Sequence, residues 1–444
     1  MKKFWPFAAP GKKLFVTYMQ TYARLKKFSG TVLLARGEEI HFLRAYGLAC
    51  YELDVPNSPD TIFQLGSLSK PFTATAILQL QDAGRLHVTD TLATYFPDYP
   101  HGQEIKLHHL LSNTSGITDY LLLPEFRQFM GRQTTLEELL ASFREQPLEF
   151  APGERFSYSN SNWLLLGAII ERISGLSYNA FLQKHQFQPL GLTHTGYEEI
   201  NALIKCRAAG YFQRGMELVR AEYDDPTALY AAGGLHSTAE EVFRWIRAVY
   251  RGRLLSIDAR QQMFRPQAAS GEADQFTYGY GCEIGQSIQH PSIGHSGAIH
   301  GYQTIAKHFT EDDLTVVVLS NMGNVNVPEI ATALAAIAFG EPYTLPQKHT
   351  SCELDLATIA DYEGTYKGTY GGRTTQMSFY VEEGKFWMHV PPLAKSEVFA
   401  ISATKYFTHS KGEVELSFIK NTQGKVESIE MNWSGYSMIA TRIR

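Results

Sequence analysis

In Gly66-Ser67-Leu68-Ser69-Lys70-Pro71-Phe72-Thr73-Ala74, one proline decides where a helix can begin. A helix accepts proline in its first turn, where the missing N–H and the fixed φ do no harm. The apolar spacing beyond it predicts a helix over residues 73–83, with Ala74, Ile77, Leu78 and Leu80 inward and Gly84 as its stop. Ser67 and Lys70 then stand three residues apart at a helix start, on one face and within reach of each other. Unpaired N–H groups and the positive end of the helix dipole at that point favour a developing oxyanion. These are the parts of an activated nucleophile. Ser69 competes for the role, but adjacent residues do not face each other on a helix, so Lys70 is assigned to Ser67. The same residues would also serve as an N-cap serine and a solvated lysine, so the rest of the chain has to decide.

Ahead of this helix, residues 14–27 predict an amphipathic helix, and residues 29–37 and 40–48 a β-hairpin. Behind it, residues 108–117 predict a short helix ending in a Ser/Asn/Thr/Gly loop, and residues 122–146 are mainly helical in pattern. A turn-rich loop, Pro152-Gly153-Glu154-Arg155-Phe156-Ser157-Tyr158-Ser159-Asn160, then runs into a helix over 163–174. It can set a phenol beside an amide on one rim of a cleft; a structural tyrosine in an Asx-type turn has the same pattern. The glycines of Ala231-Ala232-Gly233-Gly234-Leu235 mark a backbone that passes close to something else. Helices are predicted over 238–251 and 327–339, and strands over 278–283, 299–309 and 314–321, the last reading as fully buried. Gly294-His295-Ser296-Gly297-Ala298 brackets a polar pair with glycines. At a strand edge that lets a ligand approach the backbone; it also fits a plain β-turn.

The pattern changes after the proline-containing linker at 342–348. A short helical lead-in over 354–362 is followed by strands at 376–381, 385–390, 396–401, 406–408, 414–420, 426–432 and 437–442. So many strands in so short a stretch imply a closed barrel or a sandwich. The chain of 444 residues therefore divides into a main body, 1–345, with a helical region at about 85–235, and a β-domain, 350–444.

A net charge of −5 provides no basic field for nucleic acid or anionic lipid. The four cysteines, Cys50, Cys206, Cys282 and Cys352, lie far apart without a C-x-x-C pair, and the fifteen histidines contain no H-E-x-x-H. Neither a zinc site nor a disulfide framework is indicated, a single long-range bridge stays open, and no metal or cofactor is expected. No apolar run reaches membrane-spanning length. The N-terminal apolar stretch, about seven residues broken by proline, is too short for a secretory signal. The expectation is cytoplasmic if this N-terminus is native, and periplasmic or extracellular if an export signal has been removed.

Ser67-Leu68-Ser69-Lys70, Tyr158-Ser159-Asn160 and His295-Ser296-Gly297, in that order, resemble the three active-site motifs of the serine β-lactamase and penicillin-binding-protein superfamily. The Y-S-N form is similar to the class C β-lactamase, DD-peptidase, D-aminopeptidase and related esterase branch. The resemblance spans roughly residues 28–339. It includes the L-L-x-x-T-S-G loop at Leu110 to Gly116 and the Pro189-Leu190-Gly191-Leu192 turn. The terminal β-domain, with Tyr362-Glu363-Gly364-Thr365-Tyr366, resembles the lipocalin-like barrel appended to some of these hydrolases. The fold implied is α+β: a mixed antiparallel sheet flanked by helices, with an all-helical region and a terminal all-β barrel.

By the same resemblance, Ser67 would be the nucleophile of an acyl-enzyme. Lys70 and Tyr158 would share its proton, Tyr158 leading as general base, kept partly ionised by neighbouring positive charge. Asn160 would hold the substrate amide and help orient Lys70. The N–H groups of Ser67 and Ala298 would form the oxyanion hole, beside Gly297, and Ser296 would contact a carboxylate or polar group of the substrate. His295 stands where the sister motif K-T-G has lysine. Cationic only below about 6.5, it would make recognition of an anionic substrate end weak or pH-dependent, which favours a peptidase or esterase over an efficient β-lactamase. Asn113 replaces a histidine common among relatives, outside the three motifs. A small-molecule or short-peptide substrate is implied; oligomeric state is not readable. Two other readings are weighed: a catalytically silent penicillin-binding or scaffold protein on the same fold, and an α/β-hydrolase with Ser296 on a nucleophile elbow. The elbow needs a helix immediately after it, whereas residues after Gly301 have a strand pattern.

Overall fold

Leu314–Ser320 is buried along its whole length, with Val316 and Val318 in one apolar core and Val317 and Leu319 in another. Period-2 alternation with both faces apolar is what a central strand covered on both sides requires. The computed structural model describes residues 9–197, 203–214, 217–270, 276–346, 352, 359–370, 373–391, 395–402, 404–408, 414–433 and 436–443. This strand sits inside an eight-stranded sheet. Its order is Ala268–Ala269, Phe276–Tyr278, Glu283–Ser287, His290–Ile299, Tyr302–Phe309, Leu314–Ser320, Gly30–Arg36 and Glu39–Tyr46, antiparallel throughout. The early hairpin thus closes on the late strand, with Val32 opposite Val318.

Helices Ala9–Arg24 and Val327–Phe339 cover one face, the first through Phe15, Tyr18, Met19 and Tyr22. The first helix stops three residues short of the expected end because the chain turns at Lys26, whose φ is 57°. On the other face lie helices Lys70–Asp82, Asn160–Ser174 and Ala239–Tyr250. The region expected to be helical holds Leu92–Tyr95, Leu107–Leu111, Phe126–Met130, Leu136–Arg144 and Tyr178–Leu182. Its last part adds short strands, Tyr211–Arg214 paired with Glu217–Arg220, and Leu235–Ser237 paired with Phe63–Gln64.

Two sequence readings change here. Within 278–283, expected as one strand, residues 279–282 are the connection between strands Phe276–Tyr278 and Glu283–Ser287. Residues 294–298, which fit either a strand edge or a plain β-turn, are not a turn but the middle of strand His290–Ile299. That strand returns through a hairpin into Tyr302–Phe309, so no helix follows Ser296 and the nucleophile-elbow reading is excluded.

The terminal segment is a closed barrel of eight antiparallel strands, Gly364–Tyr370, Arg373–Glu382, Lys385–His389, Ser396–Ala400, Lys405–Thr408, Val414–Lys420, Val426–Trp433 and Tyr436–Arg442. The first of these was not among the expected strands. Phe418 is the hub of the barrel core, with Tyr362, Tyr366, Phe379, Phe386 and Tyr406 around it at 4.2–6.3 Å between ring centres. The helical lead-in expected over 354–362 falls largely outside the described residues.

Candidate active site

Ser67 lies in a 3₁₀ turn, Gly66–Ser69, that leads into helix Lys70–Asp82, rather than in the α-helix itself. Residues i and i+3 eclipse in a 3₁₀ turn, which brings Lys70 directly over Ser67. The turn is pressed against strand His290–Ile299. Glu283–Ser287 pairs with that strand only as far as Gly294, leaving residues 295–299 as an edge toward Ser67. Gly66 has φ +56°, and a Cβ there would stand 2.9 Å from both the nitrogen and the oxygen of Ala298. A Cβ on Gly297 would come within 2.0 Å of the Leu65 carbonyl, which also accepts the Thr304 hydroxyl at 2.7 Å. Glycine at both positions is therefore what lets the Ser67 turn and the Ala298 backbone meet.

The Lys70 side chain is wholly buried. Its Nζ is 2.9 Å from Ser67 Oγ, 2.8 Å from Asn160 Oδ1 and 2.7 Å from the Ala232 carbonyl. The last contact explains the small-residue stretch at 231–235, where a side chain reaches the backbone of the short helix Tyr230–Gly233. Burial lowers the Lys70 pKa from 10.5 to about 7, against the pull of the Asp119 charge. The amide oxygen and the carbonyl can only accept. A neutral Lys70 thus spends its two hydrogens on them and turns its lone pair to the Ser67 hydroxyl.

Tyr158 and Ser159 precede helix Asn160–Ser174, so Asn160 belongs to the helix's first turn and not to the loop. The Tyr158 ring lies 5.0 Å from Lys70 Nζ. Asn113 braces the loop: its carbonyl accepts Ser157 N–H at 2.9 Å, and its side-chain oxygen accepts Ser159 N–H at 3.2 Å and Asn162 Nδ2 at 3.1 Å. Asn113 is buried at φ 56°, a backbone conformation that asparagine tolerates better than most residues.

His295 differs most from expectation. It is 3% exposed, with Nε2 2.9 Å from the Tyr278 hydroxyl and Nδ1 2.5 Å from the Ser296 carbonyl. The carbonyl can only accept, so Nδ1 carries the proton and Nε2 accepts from Tyr278. Burial, and then the nearby Lys70, push its pKa down to about 3. The ring is therefore neutral across the working range, and the expected cation below about 6.5 does not form. Ser296, next along the strand, points to the opposite face.

Two residues of the site escaped the sequence reading. Tyr278 pins His295. Asp119, 2% exposed, accepts the backbone N–H of Asn160 at 3.1 Å and its Nδ2 at 3.1 and 3.3 Å. Nothing local marks either one, because an aspartate ending a Ser/Thr/Gly loop ordinarily caps a turn, as Asp119 also does for Leu121 N–H. Among the described residues, no group of histidine, cysteine, aspartate or glutamate is arranged to hold a metal, and no helix is long and apolar enough to cross a membrane.

An antiparallel sheet between helical layers, with a serine, a buried lysine, a tyrosine and an asparagine gathered at one strand edge, defines the serine β-lactamase and penicillin-binding-protein fold, here with a lipocalin-like barrel after it. The chain belongs to the Beta-lactamase family, whose family model matches residues 13–339. It is 32% identical to the putative penicillin-binding protein PbpX of Bacillus subtilis, over 69% of this chain and 74% of that one. With penicillin-binding protein 4* of the same organism it shares 27% identity over 92% of this chain and 93% of the relative, barrel included. A solved D-amino acid amidase from Ochrobactrum anthropi has the same fold, with a TM-score of 0.66 at 21% identity, covering 72% of this chain and 98% of that one.

Proposed function

We propose that the protein is a serine hydrolase that forms an acyl-enzyme at Ser67 and cleaves amide or ester bonds of small or short-peptide substrates. The observation that carries this is the contact between Lys70 Nζ and Ser67 Oγ at 2.9 Å, made by a lysine whose pKa has fallen to about 7. Ser67 Oγ attacks the substrate carbonyl carbon while its proton passes to Lys70. The carbonyl oxygen becomes an oxyanion facing the N–H groups of Ser67 and Ala298, an arrangement worth about 3–4 kcal/mol per donor in comparable sites. As the tetrahedral species collapses, the C–N or C–O bond breaks and Tyr158 delivers a proton to the departing amine or alcohol. Water then attacks the acyl carbon and gives a proton back to the Tyr158 oxygen, the bond from that carbon to Ser67 Oγ breaks to release the acid, and Ser67 regains its proton from Lys70.

This gives Lys70 the leading basic role. A lysine that is half neutral near pH 7 is a poor source of the fixed positive charge that an ionised Tyr158 would need. A neutral His295 offers no ionic anchor for a substrate carboxylate, which supports acyl donors without one, such as D-amino-acid amides, C-terminally blocked short D-peptides and small esters, over β-lactams. The D-amino acid amidase of the same fold is in keeping with that preference.

The test is intact-mass spectrometry after a fluorophosphonate, with peptide mapping, followed by turnover of p-nitrophenyl esters, D-amino-acid amides and nitrocefin. A Ser67 adduct with turnover of the first two classes is expected. No adduct at all would leave a silent scaffold, and nitrocefin as the best substrate would reverse the substrate preference.

A further inference from the structure

Asn160 presents one polar end to Lys70 and the other to Asp119, and only one orientation satisfies both. Asp119, as a carboxylate, can only accept, so it must face the Asn160 NH₂ group, at 3.1 and 3.3 Å. That leaves Oδ1 facing Lys70 Nζ at 2.8 Å. Reversing the amide would set two donors against each other at Lys70 and two acceptors at Asp119, in a pocket where Lys70, Asp119 and Asn160 are all buried and water cannot compensate. The Asn160 backbone N–H to Asp119 bond, 3.1 Å, ties the carboxylate to the start of the same helix.

We propose that Asp119 is a positioning residue for the reaction: it locks the Asn160 amide oxygen toward Lys70 and so holds the Lys70 lone pair on Ser67. The inference rests on the reading of Ser67 as an acylated nucleophile. It adds to that reading a third layer, Asp119 to Asn160 to Lys70 to Ser67, whose outermost member touches no substrate. Asp119 also supplies charge. Of the groups around Lys70, the Tyr158 and Trp163 rings lie 5.0 and 5.9 Å from Nζ, His295 is neutral, and Asp119 is the carboxylate whose field acts on it.

Two variants separate orientation from mere packing. In Asp119→Asn, the new side chain still accepts from the Asn160 and Leu121 backbone N–H groups through its oxygen. Its NH₂ then opposes the Asn160 NH₂ where the 3.1 Å bond stood, leaves that amide only the longer 3.3 Å bond to the retained oxygen, and so frees it to turn over. The double exchange Asp119→Asn with Asn160→Asp keeps one amide and one carboxylate in the pocket, and restores an acceptor toward Lys70. The rate of Ser67 acylation by a fluorophosphonate is followed from pH 5.5 to 9.5 for the wild type and both variants, with thermal melts alongside.

At pH 8, Asp119→Asn should acylate about 30- to 100-fold more slowly, up to the lower end of the usual worth of a positioned base, because the base is displaced and not removed. The exchange should recover at least about tenfold of that loss. The acid limb of the profile should move down by about one pH unit in Asp119→Asn, which removes a negative charge from near Lys70. It should move up by a similar amount in the exchange, which brings a carboxylate into direct contact. A folded Asp119→Asn that acylates within threefold of wild type overturns the proposal. Slow variants whose acid limbs stay at the wild-type position, with no recovery on exchange, also overturn it by reducing Asp119 to a packing role. If Asp119→Asn does not fold, the exchange carries the test through its limb alone: an upward shift supports the proposal, an unmoved limb overturns it. A wild type that never forms a Ser67 adduct overturns the serine-hydrolase reading itself, and the two failures are thereby distinct.

Discussion

Replacing His295 by lysine would restore the residue that the sister motif K-T-G carries, and sequence reasoning alone expects better binding of carboxylate-bearing substrates. The structure predicts a destabilised protein instead. The side chain at 295 is 3% exposed, between the Tyr278 hydroxyl and the Ser296 carbonyl, and close enough to Lys70 for that charge to lower its pKa. An ammonium placed there meets desolvation and like charge together, while the same surroundings already hold Lys70 at about 7. The cost has a ceiling, because one of the two lysines can give up its proton. Neutralising a lysine of reference pKa about 10.4 at pH 7 costs about 5 kcal/mol. The sign of the pH dependence follows. The unfolded chain binds more protons than the folded one below about pH 10, so stability rises with pH by up to about 1.4 kcal/mol per unit. Urea unfolding of His295→Lys and wild type between pH 6 and 10 measures this directly. The expected loss is several kcal/mol at pH 7, shrinking to about 2 kcal/mol at pH 9. Equal stability at all pH values, with a gain for carboxylate substrates, would show that residue 295 faces an open cleft and would refute the burial argument.

Ser67→Ala should abolish turnover with the melting temperature nearly unchanged, since one half-buried oxygen is removed; more than a few per cent residual activity, with contamination excluded, contradicts the assignment. Tyr158→Phe should lower the rate by roughly 10²–10⁴, the usual worth of a positioned acid or base, and unchanged ester hydrolysis would make Tyr158 structural. Phe418→Ala should destabilise the barrel by about 3–5 kcal/mol, as loss of a buried aromatic hub does. If the barrel is a separate unit that supplies no catalytic group, fluorophosphonate labelling of Ser67 should survive under conditions where the variant barrel has melted. Loss of labelling in step with barrel unfolding would tie the barrel to the active site.

Much of the fold was legible because it is written locally. Pro71 confined a helix start, the alternation in 314–320 marked a buried central strand, and seven of the eight barrel strands followed from period-2 patterning. The missed strand, Gly364–Tyr370, has Gly-Thr-Tyr-Lys-Gly-Thr-Tyr, where small and polar residues blur the alternation. The glycines at 294 and 297 likewise hid the interior of a strand, since glycine signals a turn until a neighbouring chain shows why no Cβ fits. Motif order could bring Ser67, Lys70, Tyr158 and Asn160 under consideration together. Their distances and protonation states could not be read from it. Lys70 has a pKa of about 7, and His295 one of about 3, because helices and strands from distant parts of the chain remove water from around them. Asp119 matters because the fold seats it behind Asn160, and the Ala232 carbonyl because it ends within 2.7 Å of an ammonium from another helix. Residue types and local periodicity are properties of a segment and survive in the sequence. Desolvation, charge proximity and the direction of an amide are properties of what surrounds an atom, and they come into being only when the segments pack.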